Sequence, residues 1–190
     1  TRYASLALCL AATLLSAEAI HASSPSLSII MPRGVKRGAE TVMTFSGARL
    51  ADGEEIFFYE KGFTVKKIEA NGANQLKVTV AVAADARLGE HTAQVRTKSG
   101  ISEYRTFYVG PFAETAEKEP NSEFTAPQAV SLNTTVVGVV TSEDVDYYVV
   151  DVKKGQRVSV EVEGMRLGTT LFDPYVAILD AKRFELSAAD

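Results

Sequence analysis

The stretch Gln75 to Ala83, QLKVTVAVA, constrains this chain more than any other: Leu76, Val78, Val80 and Val82 alternate with Lys77 and Thr79. A period of two puts the apolar set on one face of a strand, whereas a helix would scatter it. A strand with one apolar face needs a second layer to cover it. The text on either side repeats the theme. Leu27–Met31, Thr41–Phe45, Glu54–Tyr59, Thr64–Glu69, His91–Thr97 and Ser102–Val109 are β-like runs, broken at Arg33-Gly34, Ser46-Gly47, Asp52-Gly53, Lys61-Gly62, Asn71-Gly72 and Ser99-Gly100. Short strands with glycine turns and no sustained 3.6-residue period predict a β-sandwich over residues 27–110. Lys98-Ser99-Gly100 is expected to close a hairpin.

Gly110-Pro111 ends that pattern. Residues 111–120 contain AETAEKEP, small, acidic and proline-bearing, which is linker composition. A second β pattern follows, with candidate strands at Val136–Val140, Val145–Val152, Gln156–Glu163 and Tyr175–Leu179 and a turn at Lys153-Lys154-Gly155. Val158, Val160 and Val162 are expected on its buried face. The chain stops at Ser187-Ala188-Ala189-Asp190 with no closing strand in its text, so residues 117–190 read as a C-terminally incomplete sandwich with an exposed edge. The fold class expected is all-β: two consecutive sandwiches.

Residues 1–22 stand apart. Tyr3 to Ala17 form an apolar run behind Arg2, shorter than the roughly 20 residues a membrane span needs. Ala19 and Ala22 offer small side chains for cleavage, so the segment reads as an export signal and the rest as secreted, periplasmic or cell-surface, with no membrane span. The chain opens on Thr1, which fits a piece of a longer protein. Cys9 lies inside that run with Leu8 before it, which argues against a lipoprotein signal. It is the only cysteine, so the mature chain has no thiol for a disulfide, a nucleophile or a thiolate metal site. Twenty basic residues face 24 acidic ones, a net charge of −4, and the basic ones form no stripe. Nucleic acid is an unfitting partner.

Residues 117–190 resemble the bacterial pre-peptidase C-terminal domain, a sandwich found beside catalytic domains in secreted peptidases. The match rests on Glu117-Lys118-Glu119-Pro120-Asn121, Gly138, Asp144-Val145-Asp146-Tyr147-Tyr148, Lys154-Gly155-Gln156 and Asp173-Pro174. It departs at Ser122, where many members carry Asp or Asn. Residues 27–110 resemble an immunoglobulin-like module of the IPT/TIG kind, on Pro32-Arg33-Gly34 through Gly38, Phe45-Ser46-Gly47, Leu50, Gly89-Glu90-His91 and Thr97-Lys98-Ser99-Gly100. Together they resemble the N-terminal part of a large secreted bacterial protein.

The sharpest chemical feature is acidic: Glu117, Glu119, Asn121, Asp144 and Asp146. Calcium takes six to eight oxygen ligands, and the resemblance implies that such an opening segment and acidic loop can hold it. The alternative is a solvated linker and a strand-start turn. Ser-His-Asp chemistry lacks its parts: His91 sits at a strand start, where exposure is usual, and no serine occupies a Gly-x-Ser-x-Gly elbow. No P-loop, dinucleotide fingerprint or zinc spacing is present. Glu54-Glu55 and Glu161 with Glu163 read as solubilising charge. Phe57-Phe58-Tyr59 and Tyr147-Tyr148 must each turn some rings outward, where they could stack on a sugar or peptide. Two functions are compatible with this text. One is a non-catalytic binding or structural module for extracellular polysaccharide or protein. The other is an accessory segment of a secreted hydrolase, which the resemblance implies to be a peptidase, with its catalytic domain outside these residues.

Overall fold

The computed structural model describes residues 24–141, 144–164, 166–167 and 172–190; the expected export signal lies outside them. The described residues form strands, turns and irregular segments with no helix, and the architecture is all-β. No helix among them is long and apolar enough to cross a membrane.

Residues 26–110 build a two-sheet sandwich. One sheet orders β1 (Ser26–Met31), β3 (Glu40–Ala48), β6 (Gln75–Val82) and β5 (Phe63–Ala70) in antiparallel neighbours. The other runs β2 (Gly34–Lys36), β9 (Arg105–Gly110), β7 (Gly89–Thr97) and β4 (Gly53–Phe58), with β8 (Gly100–Ile101) also paired to β7. The expected hairpin forms: Thr97 pairs with Gly100 and Arg96 with Ile101 around Lys98-Ser99. Leu76, Val78, Val80 and Val82 are all buried, as the alternation requires. They meet Met43 and Phe45 from β3, Ile56 from β4, Ala93 and Val95 from β7, and Phe107 and Val109 from β9. Burying each such side chain fully is worth about 1.5–3 kcal/mol. Strand β1 lies so close to β3 that a Cβ on Gly47 would fall 1.8 Å from the Ser26 carbonyl oxygen, so only glycine fits. Strand β2 falls where the sequence read a glycine break. Three residues are too few to show alternation, and its parallel pairing with β9 is a tertiary contact.

The second region departs further from expectation. Ala113–Ala116, within the stretch read as linker, forms β10, which pairs in parallel with β12 (Thr134–Val137). The expected Val145–Val152 strand shrinks to β13 (Tyr148–Val149), paired with β11 (Gln128–Ala129). The expected Gln156–Glu163 strand does not form, and Val160 and Val162 are 53% and 41% exposed. No described strand pairs with that segment, and an unpaired alternating run has nothing to bury its valines against. A strand also appears where none was read: β15 (Glu185–Ala189) pairs antiparallel with β14 (Val176–Leu179). Asp180 starts the turn between them, its Oδ1 accepting from the Lys182 and Phe184 amides at 2.8 Å each. Arg183 takes the left-handed conformation there, at φ 69°.

Candidate functional site

The acidic residues singled out from the sequence meet where β10 runs out. Glu117 follows β10, and its amide donates to the Val137 carbonyl at 3.0 Å, extending the β10–β12 pairing by one bond. Its carboxylate turns onto the β12 end: Oε2 accepts from the Val139 amide at 2.9 Å. Oε1 accepts from the Tyr148 hydroxyl at 2.6 Å, at the start of β13. Gly138 makes the room. A Cβ there would lie 2.4 Å from Glu117 Oε2.

Glu119 turns back on the chain, its Oε2 accepting from the Asn121 amide at 3.1 Å. Asn121 is 1% exposed, and its carbonyl accepts from the Tyr147 amide at 2.9 Å, which docks the 144–148 segment against it. One carboxylate oxygen from each of Glu117, Glu119 and Asp146 then lies within 4.8 Å of the others. Asp144 takes a different place. Its Oδ2 accepts from the Thr141 amide and hydroxyl at 3.2 and 3.1 Å, and its Oδ1 from the Ser122 hydroxyl at 3.3 Å. The geometry therefore gathers Glu117, Glu119, Asn121 and Asp146, while Asp144 fastens the adjoining loop through the Ser122 at which the sequence departs from the resemblance.

The buried Asn121 side chain is satisfied with its NH2 donating to Asp146 Oδ1 at 3.2 Å and to Glu119 Oε2 at 3.0 Å; turned over, the NH2 reaches only Glu117 Oε1, at 3.4 Å. The amide thus bridges two of the gathered carboxylates. The oxygens of Glu117, Glu119 and Asp146 form an all-carboxylate set, and such a set fits a hard cation such as calcium.

The electrostatics show the strain of gathering these charges. Burial pushes the Asp146 carboxyl up to about 6, helped by the charges of Glu117 and Asp144. Burial would raise Glu117 as well, but hydrogen bonds from Tyr148, Val139 and Asn121 outweigh it and hold that group below the usual carboxylate range. So Glu117 keeps its charge and Asp146 carries the proton most readily. Burial and the bond to Glu117 push the Tyr148 phenol up. The Thr141 amide and hydroxyl hold Asp144 low.

The other sequence candidates resolve differently. His91 is 2% exposed, not the exposed residue expected at a strand start. Phe63 meets its ring edge-on at 4.9 Å and Phe107 stacks at 5.7 Å. Its Nε2 lies 2.8 Å from the Arg87 carbonyl, and its Nδ1 lies 3.3 Å from Glu60 Oε2. The inward register of β7, invisible in one residue's type, carries it into the core. Glu54 and Glu55 both pair with Arg96, at 2.5 and 3.0 Å. Phe58 turns inward onto Phe63, stacked at 4.6 Å, while Tyr59 is 63% exposed. Tyr147 packs edge-on against Phe124, and Arg183 lies over both rings.

Comparison with known proteins adds likeness in the first region. A family model for domain III of the alpha subunit of quinohemoprotein amine dehydrogenase matches residues 24–102. That match ends before the second region, so the resemblance of residues 117–190 to the pre-peptidase module draws no support from it. No curated protein matches the chain. Among solved structures, SGBP-B of the Bacteroides ovatus mixed-linkage glucan utilization locus, in complex with a mixed-linkage heptasaccharide, aligns at 13% identity and a TM-score of 0.33. The alignment covers 52% of this chain and only 23% of that one.

Proposed function

We propose that this chain is a non-catalytic extracellular β module, binding polysaccharide or protein, whose second region is fastened by calcium at Glu117, Glu119, Asn121 and Asp146. The observation that supports this is the convergence of one carboxylate oxygen from each of Glu117, Glu119 and Asp146 within 4.8 Å of one another. Water would complete the coordination. A bound cation would supply the charge that the cluster lacks, and Glu117, already bonded to Val139 and Tyr148, would orient it. The cluster joins the end of β10, the Asn121 turn and the start of β13, so occupancy would hold three segments that share little apolar contact. Export through the signal expected at residues 1–22 would deliver the module to the millimolar calcium found outside cells. The accessory-peptidase reading gains nothing from the site or from the likenesses and is set aside.

A thermal melt in millimolar calcium against chelator tests the proposal. Ligand that binds only the folded state stabilises it by about 2.7 kcal/mol at a hundred times its Kd. The melting temperature should rise with calcium, and the rise should vanish in Glu119→Ala with Asp146→Ala. Equal melting temperatures, or a shift that survives the double substitution, would eliminate the site.

A further inference from the structure

The outer face of the β4–β7 ladder carries a group of side chains that neither the core nor the acidic cluster uses. Phe57 pairs directly across from Gln94, and two residues on the Tyr59 amide donates to the Thr92 carbonyl at 3.4 Å. Alternation sends Phe58 inward and leaves Phe57, Tyr59, Thr92 and Gln94 on the solvent side. The Tyr59 hydroxyl donates to Gln94 Oε1, and Gln94 Nε2 donates to the Ser102 carbonyl at 2.6 Å. The amide is thus fixed at both ends on a rigid strand beside two outward rings. It keeps one N–H and one oxygen lone pair free, and the tyrosine oxygen keeps its own lone pairs.

Each acid around this group already holds an arginine. Arg96 lies between Glu54 and Glu55, Arg87 pairs with Glu60 at 2.6 Å, and Arg166 reaches Glu90 at 3.6 Å. The Arg166 carbonyl also accepts from the Thr106 hydroxyl, which places this residue of the second region beside β9. What remains between them is a platform of uncharged rings flanked by fixed amide and hydroxyl groups. An anionic ligand would meet a surplus of carboxylate, since Arg96 serves both Glu54 and Glu55, and a basic peptide would find each acid already paired. A sugar ring offers the complement: C–H faces for the rings and hydroxyls for the amide.

We propose that Phe57, Tyr59 and Gln94 form the binding platform for a neutral polysaccharide chain lying along edge strand β4. This rests on the reading of the chain as an extracellular binding module and names the ligand class and residues. The test is affinity electrophoresis of the chain through gels containing hydroxyethyl cellulose, with polygalacturonate and poly-lysine gels beside it. Retardation is expected in hydroxyethyl cellulose alone. Tyr59→Ala and Gln94→Ala should each weaken it about tenfold or more, and Tyr59→Phe, which keeps the ring, should keep most of it. Tyr59 is exposed, so its variants should melt with the parent, and that measurement separates lost binding from lost folding. Glucan binding unchanged in both alanine variants would overturn the platform while leaving a polysaccharide-binding module standing. Retention by poly-lysine or polygalacturonate instead would overturn the neutral-polysaccharide assignment. Retention by no gel would overturn it as well, and the calcium melt, which reads the acidic cluster, would still decide the calcium part of the functional reading.

Discussion

Leu76-Lys77-Val78-Thr79-Val80 in the first region and Val158-Ser159-Val160-Glu161-Val162 in the second have almost the same alternating text. Their fates differ. The first is a central strand with β3 on one side and β5 on the other, its apolar face closed by the opposite sheet. The second joins no ladder among the described residues, and two of its valines stand exposed. Among the described residues the buried apolar core lies within residues 27–109, while the polar Asn121 is the buried side chain of the second region. The contrast teaches that alternation only permits a strand. Pairing and a covering layer make one, because each unpaired backbone group and each uncovered valine keeps its water. It also explains why the second region would turn to charge. With little apolar surface to bury, a cation gathering carboxylates is a means of ordering it.

The comparison can be broken at its strongest point by truncation. Phe107→Ala removes a fully buried ring at the centre of the Phe58, Phe63 and His91 group and should cost about 3–5 kcal/mol. Val160→Ala should change stability by less than about 0.5 kcal/mol. Urea denaturation measures both, and comparable losses would mean that the second region has a core of its own.

Gly138→Ala sharpens the contrast from the polar side. The added methyl would collide with Glu117 Oε2 and release its bonds to Val139 and Tyr148, at a cost of about 1–3 kcal/mol. Amide exchange should speed up around β12 and β13 and stay unchanged in β6 and β7. Uniform loosening of both regions would contradict their independence.

The smallest effect is a pH dependence at the border. Glu114 on β10 is half-buried, its Oε1 has no hydrogen-bond partner, and burial pushes its carboxyl up to about 7. The folded state therefore binds a proton that the unfolded chain, titrating near the ordinary carboxylate value, releases earlier. Stability is fullest at acid pH on this account and falls as pH rises through about 7. Glu114→Gln should flatten that fall and melt higher than the parent above neutrality. An unchanged pH profile of the melting temperature would refute it.

The sequence determined the first region nearly in full. The period of two named the strands, the glycines named the turns, and Leu76 through Val82 named a core face, because these signals are local and a sandwich satisfies them all at once. It also put Glu117, Glu119, Asn121, Asp144 and Asp146 on one short list. Tertiary structure decided what local text cannot carry. The β2 and β10 strands exist only through parallel partners distant in sequence. His91 became a core residue through the register of β7. Asp146 rather than Asp144 joined Glu117 and Glu119, because Ser122 and Thr141 occupy both oxygens of Asp144. Residue type and spacing fix what a segment can do, but the neighbour that accepts its hydrogen bonds and covers its face fixes what it does.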